Sequence, residues 1–158
     1  MVAVIKSSAS LRNVLHCNVN KLKKKVAHLI HSHGFGKDKE NLCFSDKLKT
    51  FEKLTTLNER TRLNTVHISL NFDPSEKLEA DILAIIADRY MQKIGFGDQP
   101  YLVYEHQDAG HPHIHLVTTC IQRDGSRIKM QNIGRNQSEK ARKEIEKAYN
   151  LKPPQQSQ

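Results

Sequence analysis

Between Thr65 and Phe72 the sequence TVHISLNF alternates without a break, with Val66, Ile68, Leu70 and Phe72 on one side and His67, Ser69 and Asn71 on the other. A period of two marks a strand with one buried and one polar face. Shorter apolar runs predict strands at VAVI, near the start, and at VAHLI, residues 26–30. YLVYEH and PHIHLVTTCI predict two more, paired as antiparallel neighbours through the tight connection QDAGH. Between these lie segments of helical period. SASLRNVLHCNVNKLKKK predicts a helix with Ser10 near its cap and Leu11, Val14, Leu15 and Val19 on one stripe. Ser45 is expected to cap a second, with Leu48, Phe51 and Leu54 inward, running to about Arg60 after the loop HSHGFGKDKEN. In DPSE, Asp73 reads as an N-cap, Pro74 as the first helical residue and Glu76 as the third. That helix would bury Leu78, Ile82, Ile85, Ile86 and Tyr90 and end before Gly95. Asp124-Gly125 predicts a turn, and SEKARKEIEKAYN a charged final helix. The expected class is α+β, a mainly antiparallel central sheet with helices packed on it. Residues 1–150 form the domain, and LKPPQQSQ, residues 151–158, a disordered tail or the stump of a linker.

Composition narrows the function classes. A chain of 158 residues is one domain by length and can bury roughly two-thirds of its unfolded surface. Cys17, Cys43 and Cys120 are too scattered for a disulfide framework or a cysteine zinc site. The sequence has no apolar run near the membrane-spanning length, and MVAVIK is too short for a signal-peptide core. A soluble cytoplasmic protein with no membrane partner is expected. The net charge of +8 and pI near 9.5 point toward a polyanionic partner.

The candidate chemistry sits in YEHQDAGHPHIHL, which holds His106, His111, His113 and His115, four of nine histidines. His113 and His115 are two apart on a strand, so both rings point to one face with backbones about 6.6 Å apart. His106 ends the preceding strand and falls beside them across the connection. Three neutral imidazoles with positions left open have the character of a catalytic divalent-metal site, whereas a structural site normally shows four ligands rich in cysteine. The direction of His111, in the turn, is unconstrained. Asp108 is placed to accept a proton from a ring nitrogen and fix a ligand's tautomer, or to serve as an ordinary turn aspartate.

NTVHISLNFDPSE and GFGDQPYLVYEHQDAGHPHIHLVTT resemble the relaxases, the mobilization nucleases of plasmids and integrative elements, particularly their Bacteroidetes-type branch. The family's third motif, H-x-D-x-x-x-x-H-x-H, falls on His106, Asp108, His113 and His115. The resemblance implies a histidine-hydrophobe-histidine nuclease fold and a divalent cation (Mn, Mg, Zn, Ni or Co) on the three histidines. It further implies single-stranded DNA across the site, nicked at a transfer origin with the protein left on the 5′ phosphate, and accessory mobilization proteins as further partners. Family relaxases usually take their nucleophile, a tyrosine, from the first helix. At that position this sequence has Cys17, before Asn18. Three readings follow: Cys17 replaces the nucleophile, His16 attacks instead, or the domain binds DNA or an assembly partner without nicking it. A metal-dependent phosphoesterase that activates water is a further alternative.

Among the tyrosines, Tyr104 shares parity with His106, Tyr90 reads as core, and Tyr149 reads as surface. For DNA phosphates, Lys21, Lys23, Lys24 and Lys25 end the first helix and suit the negative end of its dipole. Arg123, Arg127 and Lys129 surround the Asp124-Gly125 turn and would extend the groove. Ser69 and Asn71 are candidates for phosphate contact or for supporting the ligands.

Overall fold

The alternation of TVHISLNF becomes an interior strand of a sheet. The computed structural model describes residues 1–24, 27–106 and 110–154, without the side chains of residues 19 and 22. Five strands, β1 (Val2–Ser8), β2 (Ala27–His33), β3 (Thr65–Asn71), β4 (Tyr101–His106) and β5 (His113–Thr119), form one sheet in the order β1-β3-β5-β4-β2. Every pairing is antiparallel. Four α-helices, α1 (Leu11–Lys23), α2 (Phe44–Thr55), α3 (Ala80–Lys93) and α4 (Glu139–Tyr149), complete the α+β architecture.

The two faces of the sheet bury different sets of residues. Val66, Ile68 and Leu70 of β3, Val103 of β4 and Ile114 and Leu116 of β5 meet Leu83, Ile86, Tyr90 and Met91 of α3 and Ala141 and Ile145 of α4. The opposite face carries a smaller core, where Leu11 and Leu15 of α1 and Leu48 and Phe51 of α2 pack on Leu102, Tyr104 and Val117. Helix α1 follows its predicted stripe: Leu11 and Leu15 are buried, and the Ser10 hydroxyl accepts the Asn13 N–H at 3.3 Å. Val19, the last member of that stripe, has its side chain outside the description. Strand β2 begins at Ala27, Val26 also lying outside it, and runs past Ile30 to His33 with a bulge between Leu29 and His31. His31 and His33 are therefore strand residues and not loop. An edge strand tolerates them because His31 reaches Asp88 at 2.9 Å and His33 stacks on Tyr101 at 4.8 Å.

Three helix boundaries differ from the sequence reading. Cys43, not Ser45, caps α2, because the Asp46 carboxylate accepts the Cys43 N–H at 3.2 Å. That helix stops at Thr55 and not near Arg60; the Thr56 hydroxyl turns back to the Glu52 carbonyl at 2.8 Å, and Leu57 beyond it is exposed. Asp73 caps no helix. Its Oδ1 accepts the Ser75 N–H at 2.9 Å and the Ser75 hydroxyl at 2.6 Å, closing a tight turn, and the Glu76 carboxylate is turned to the Lys152 N–H at 3.1 Å. Helix α3 begins only at Ala80, capped by Glu79. Its buried stripe is Leu83, Ile86, Ala87, Tyr90 and Met91, which leaves Ile85 at 44% exposure, whereas Leu78 packs on the core from the approach to the helix. At the other end Gly95 adopts the left-handed φ of 89° that stops α3, as expected. Beyond α4, Leu151 is buried, and the Lys152 carbonyl accepts a hydrogen bond from the Met1 ammonium at 2.6 Å.

Tyr104 has the parity of His106, but the second core covers it completely. Its hydroxyl has no hydrogen-bond partner among the described residues, and burial pushes its pKa above the usual tyrosine range. An unpaired buried hydroxyl costs free energy, so Tyr104→Phe is expected to leave the urea unfolding free energy unchanged or raise it by up to about 1 kcal/mol. A loss larger than that would mean the hydroxyl is paired.

Candidate functional site

The β4–β5 register sets His106 opposite His113 and Tyr104 opposite His115. All three histidines lie on the α1 face of the sheet, at the end of the small core where the aliphatic residues stop. The His106 and His115 rings stack with centroids 3.9 Å apart; His113 lies 5.3 Å from His106 and 5.1 Å from His115. One nitrogen from each lies within 4.8 Å of the others. Ligands on a single small ion sit roughly 3.3 Å apart, so modest ring rotations would bring these three together on one ion.

Hydrogen bonds orient the three rings. His113 Nδ1 is 3.2 Å from the His111 carbonyl, which can only accept, so Nδ1 carries the proton and Nε2 keeps its lone pair. His115 Nδ1 is 2.8 Å from His67 Nε2, and with the proton on His115 Nδ1 its Nε2 carries the ring's lone pair. Asn18 donates its amide to the Val14 carbonyl at 3.0 Å, which directs its oxygen to His106 Nε2, also at 3.0 Å. His106 Nδ1 faces the Lys21 ammonium at 3.4 Å.

The electrostatics favour neutral rings. Burial, then the neighbouring rings of His106, His67 and His113 and the Lys21 ammonium, push His115 down to about 3. Burial, with Lys6 and Lys21, also holds His67 below the ordinary histidine range. Both are therefore unprotonated at neutral pH, the form that binds a cation. His106 and His113 are buried beside them.

Helix α1 forms the opposite wall. Val14, Cys17, Asn18 and Lys21, at spacings of three, one and three, line a cavity of about 230 Å³ with His67, His106 and His115. Residues 18–151 match the family model described as Relaxase: MobA/VirD2-like, nuclease domain. The chain belongs to this family. No curated protein matches the sequence. The match begins one residue after Cys17, so the relaxase assignment does not depend on that position.

Other candidate positions in this relaxase domain divide by location. Cys17 is exposed at the cavity wall, whereas His16 stacks on Phe44 at the start of α2, 4.5 Å away. Lys21 lines the cavity; Lys23 and Lys24 are exposed at the end of α1. Lys25 and Asp108 lie outside the described residues. Ser69 and Asn71 face the site from β3, opposite His115 and His113, and the Asn71 side-chain Oδ1 is 3.2 Å from His111 Nε2. Arg123, Arg127 and Lys129 follow the far end of β5, about 20 Å along the strand from His113. Arg123 lines a separate cavity of about 520 Å³ with His33, Asp98 and Gln99. The two supports the sequence reading did not single out are His67 and Asn18. The parity of His67 was visible, but its partner is 48 residues away and depends on strand pairing.

Replacing His67 with alanine is expected to weaken divalent-cation binding about 10- to 100-fold in calorimetric titration, the usual cost of removing a ligand's orienting partner. His67→Gln, whose oxygen can still accept from His115 Nδ1, should recover part of it. Unchanged affinity in both variants would show that His115 needs no such partner.

Proposed function

We propose that this relaxase domain binds single-stranded DNA at a transfer origin and, with a divalent cation (Mn, Mg, Zn, Ni or Co) held by His106, His113 and His115, acts in strand transfer during conjugative mobilization. The observation that carries this reading is the convergence of His106, His113 and His115 within reach of one ion, with Cys17 facing His106 and His115 across a cavity, in a chain with the relaxase nuclease domain. The cation, when bound, supplies positive charge to the non-bridging oxygens of the scissile phosphate. The protein supplies the rest. Asn18 and His67 hold His106 and His115, the Lys21 ammonium adds a second positive charge at the cavity, and Cys17 presents a thiol to it.

In the transfer step the Cys17 sulfur would form a bond to phosphorus while the bond to the sugar 3′ oxygen breaks. The thiol loses its proton to solvent as sulfur attacks, the released alkoxide takes one from solvent, and the 5′ phosphate stays on sulfur. Here the choice of residue matters. A thiol with a reference pKa of about 8.5 leaves phosphorus far more readily than a sugar alkoxide, so the adduct tends to collapse back to intact DNA. Cysteine is also several ångströms shorter than tyrosine, which puts its sulfur out of reach of a phosphate set for a phenol. These two properties favour a second reading, in which the native domain holds DNA without accumulating the nicked product. Neither alternative nucleophile is better placed: His16 is stacked against Phe44, and Tyr104 is sealed in the core.

The two readings separate with labelled single strands tiling the mobile element that encodes the chain, incubated with metal and resolved under denaturing conditions. The native chain is expected to give little adduct, Cys17→Tyr roughly tenfold more or better, and Cys17→Ala none. Abundant adduct from the native chain would establish the thiol as a competent nucleophile. Free ends without adduct from all three would indicate activated water instead.

A further inference from the structure

Among the described residues, the sheet face that carries the histidines is only half covered. Leu11, Leu15, Leu48 and Phe51 cover β4 and β5, but β1, at the open edge, leaves Val2 and Val4 at 43% and 39% exposure and Lys6 exposed. These three share the histidine face, since Ala3 and Ile5 between them pack against the opposite core. The register joins them to the site in rows. His113 lies opposite Asn71 and Asn71 opposite Val2; His115 lies opposite Ser69 and Ser69 opposite Val4. In the next row Lys6 lies opposite His67, whose other side meets the cavity containing Lys21. Two strand spacings, about 10 Å, separate His115 from Val4.

We propose that single-stranded DNA leaves the histidine site across β3 onto the edge strand β1, with phosphates along Ser69 and Lys6 and bases or sugars against Val2 and Val4. This rests on the reading of the domain as a binder of single-stranded DNA. Two features select that occupant. The strip is continuous with the histidine site, and it pairs small apolar patches with the Ser69 hydroxyl and a lysine, the mixture that holds an unpaired polyanionic strand. Lys6 on an exposed edge also disfavours pairing with another strand.

The test measures fluorescence anisotropy of a labelled oligothymidylate over a range of salt concentrations, with the native chain, Lys6→Gln and the double variant Val2→Ser, Val4→Ser. All three side chains are exposed, and retained circular dichroism and metal affinity check the fold. Lys6→Gln is expected to weaken binding and flatten the dependence of log affinity on log salt by about 0.7, one phosphate contact. The double serine variant should lose roughly three- to tenfold in affinity with the salt slope unchanged. A native chain that binds no oligothymidylate would remove the underlying reading and this path with it. A native chain that binds, with both variants unaltered, would overturn the path alone. Loss of self-association in sedimentation with DNA affinity unmoved would also overturn it, assigning the edge to a second copy.

Discussion

A one-residue slip between β4 and β5 would turn His106 to the other side of the sheet from His113 and His115, and the three rings would no longer lie within reach of one ion. The pairing of His106 with His113 is therefore the constraint on which the site depends. Two cores enforce it. Val103, Ile114 and Leu116 are buried on one face, and Leu102, Tyr104 and Val117 on the other, so a slip would exchange both sets at once. With aliphatic residues filling the middle of these strands, the polar rings fall only at their β4-end and β5-start positions, where the sheet opens toward α1.

Helix α1 links this sheet to chemistry. Its Leu11 and Leu15 anchor it on the small core, and the same helical period carries Val14, Cys17, Asn18 and Lys21 over the histidines. One helix thus supplies a hydrogen-bonding support, an ammonium group and a thiol to one cavity, while its neighbour His16 faces α2. The exposed face of β1 extends the same surface beyond the cavity.

The sequence carried much of this because the decisive signals are local. Alternation in TVHISLNF and the two-residue spacing of His113 and His115 fix side-chain direction without knowledge of the fold. DPSE misled because an aspartate before proline and serine closes a turn with the same bonds that begin a helix, and only the later Lys152 contact distinguishes them. Burial of Tyr104 was illegible for a related reason: its parity is a local property, but the α1 and α2 side chains above it are not. The His67–His115 bond and the separation of Arg123, Arg127 and Lys129 from the histidines likewise depend on strand order, which no local pattern encodes.

The central claim is that one cation is shared by three rings from two adjoining strands. Its most direct test is metal content and affinity, by titration after chelation, of the native chain and of His106→Ala, His113→Ala and His115→Ala. The account predicts one divalent ion per native chain and most of the affinity lost in each variant, with circular dichroism unchanged. A native chain that binds no ion, or an ion that survives all three substitutions, would contradict it.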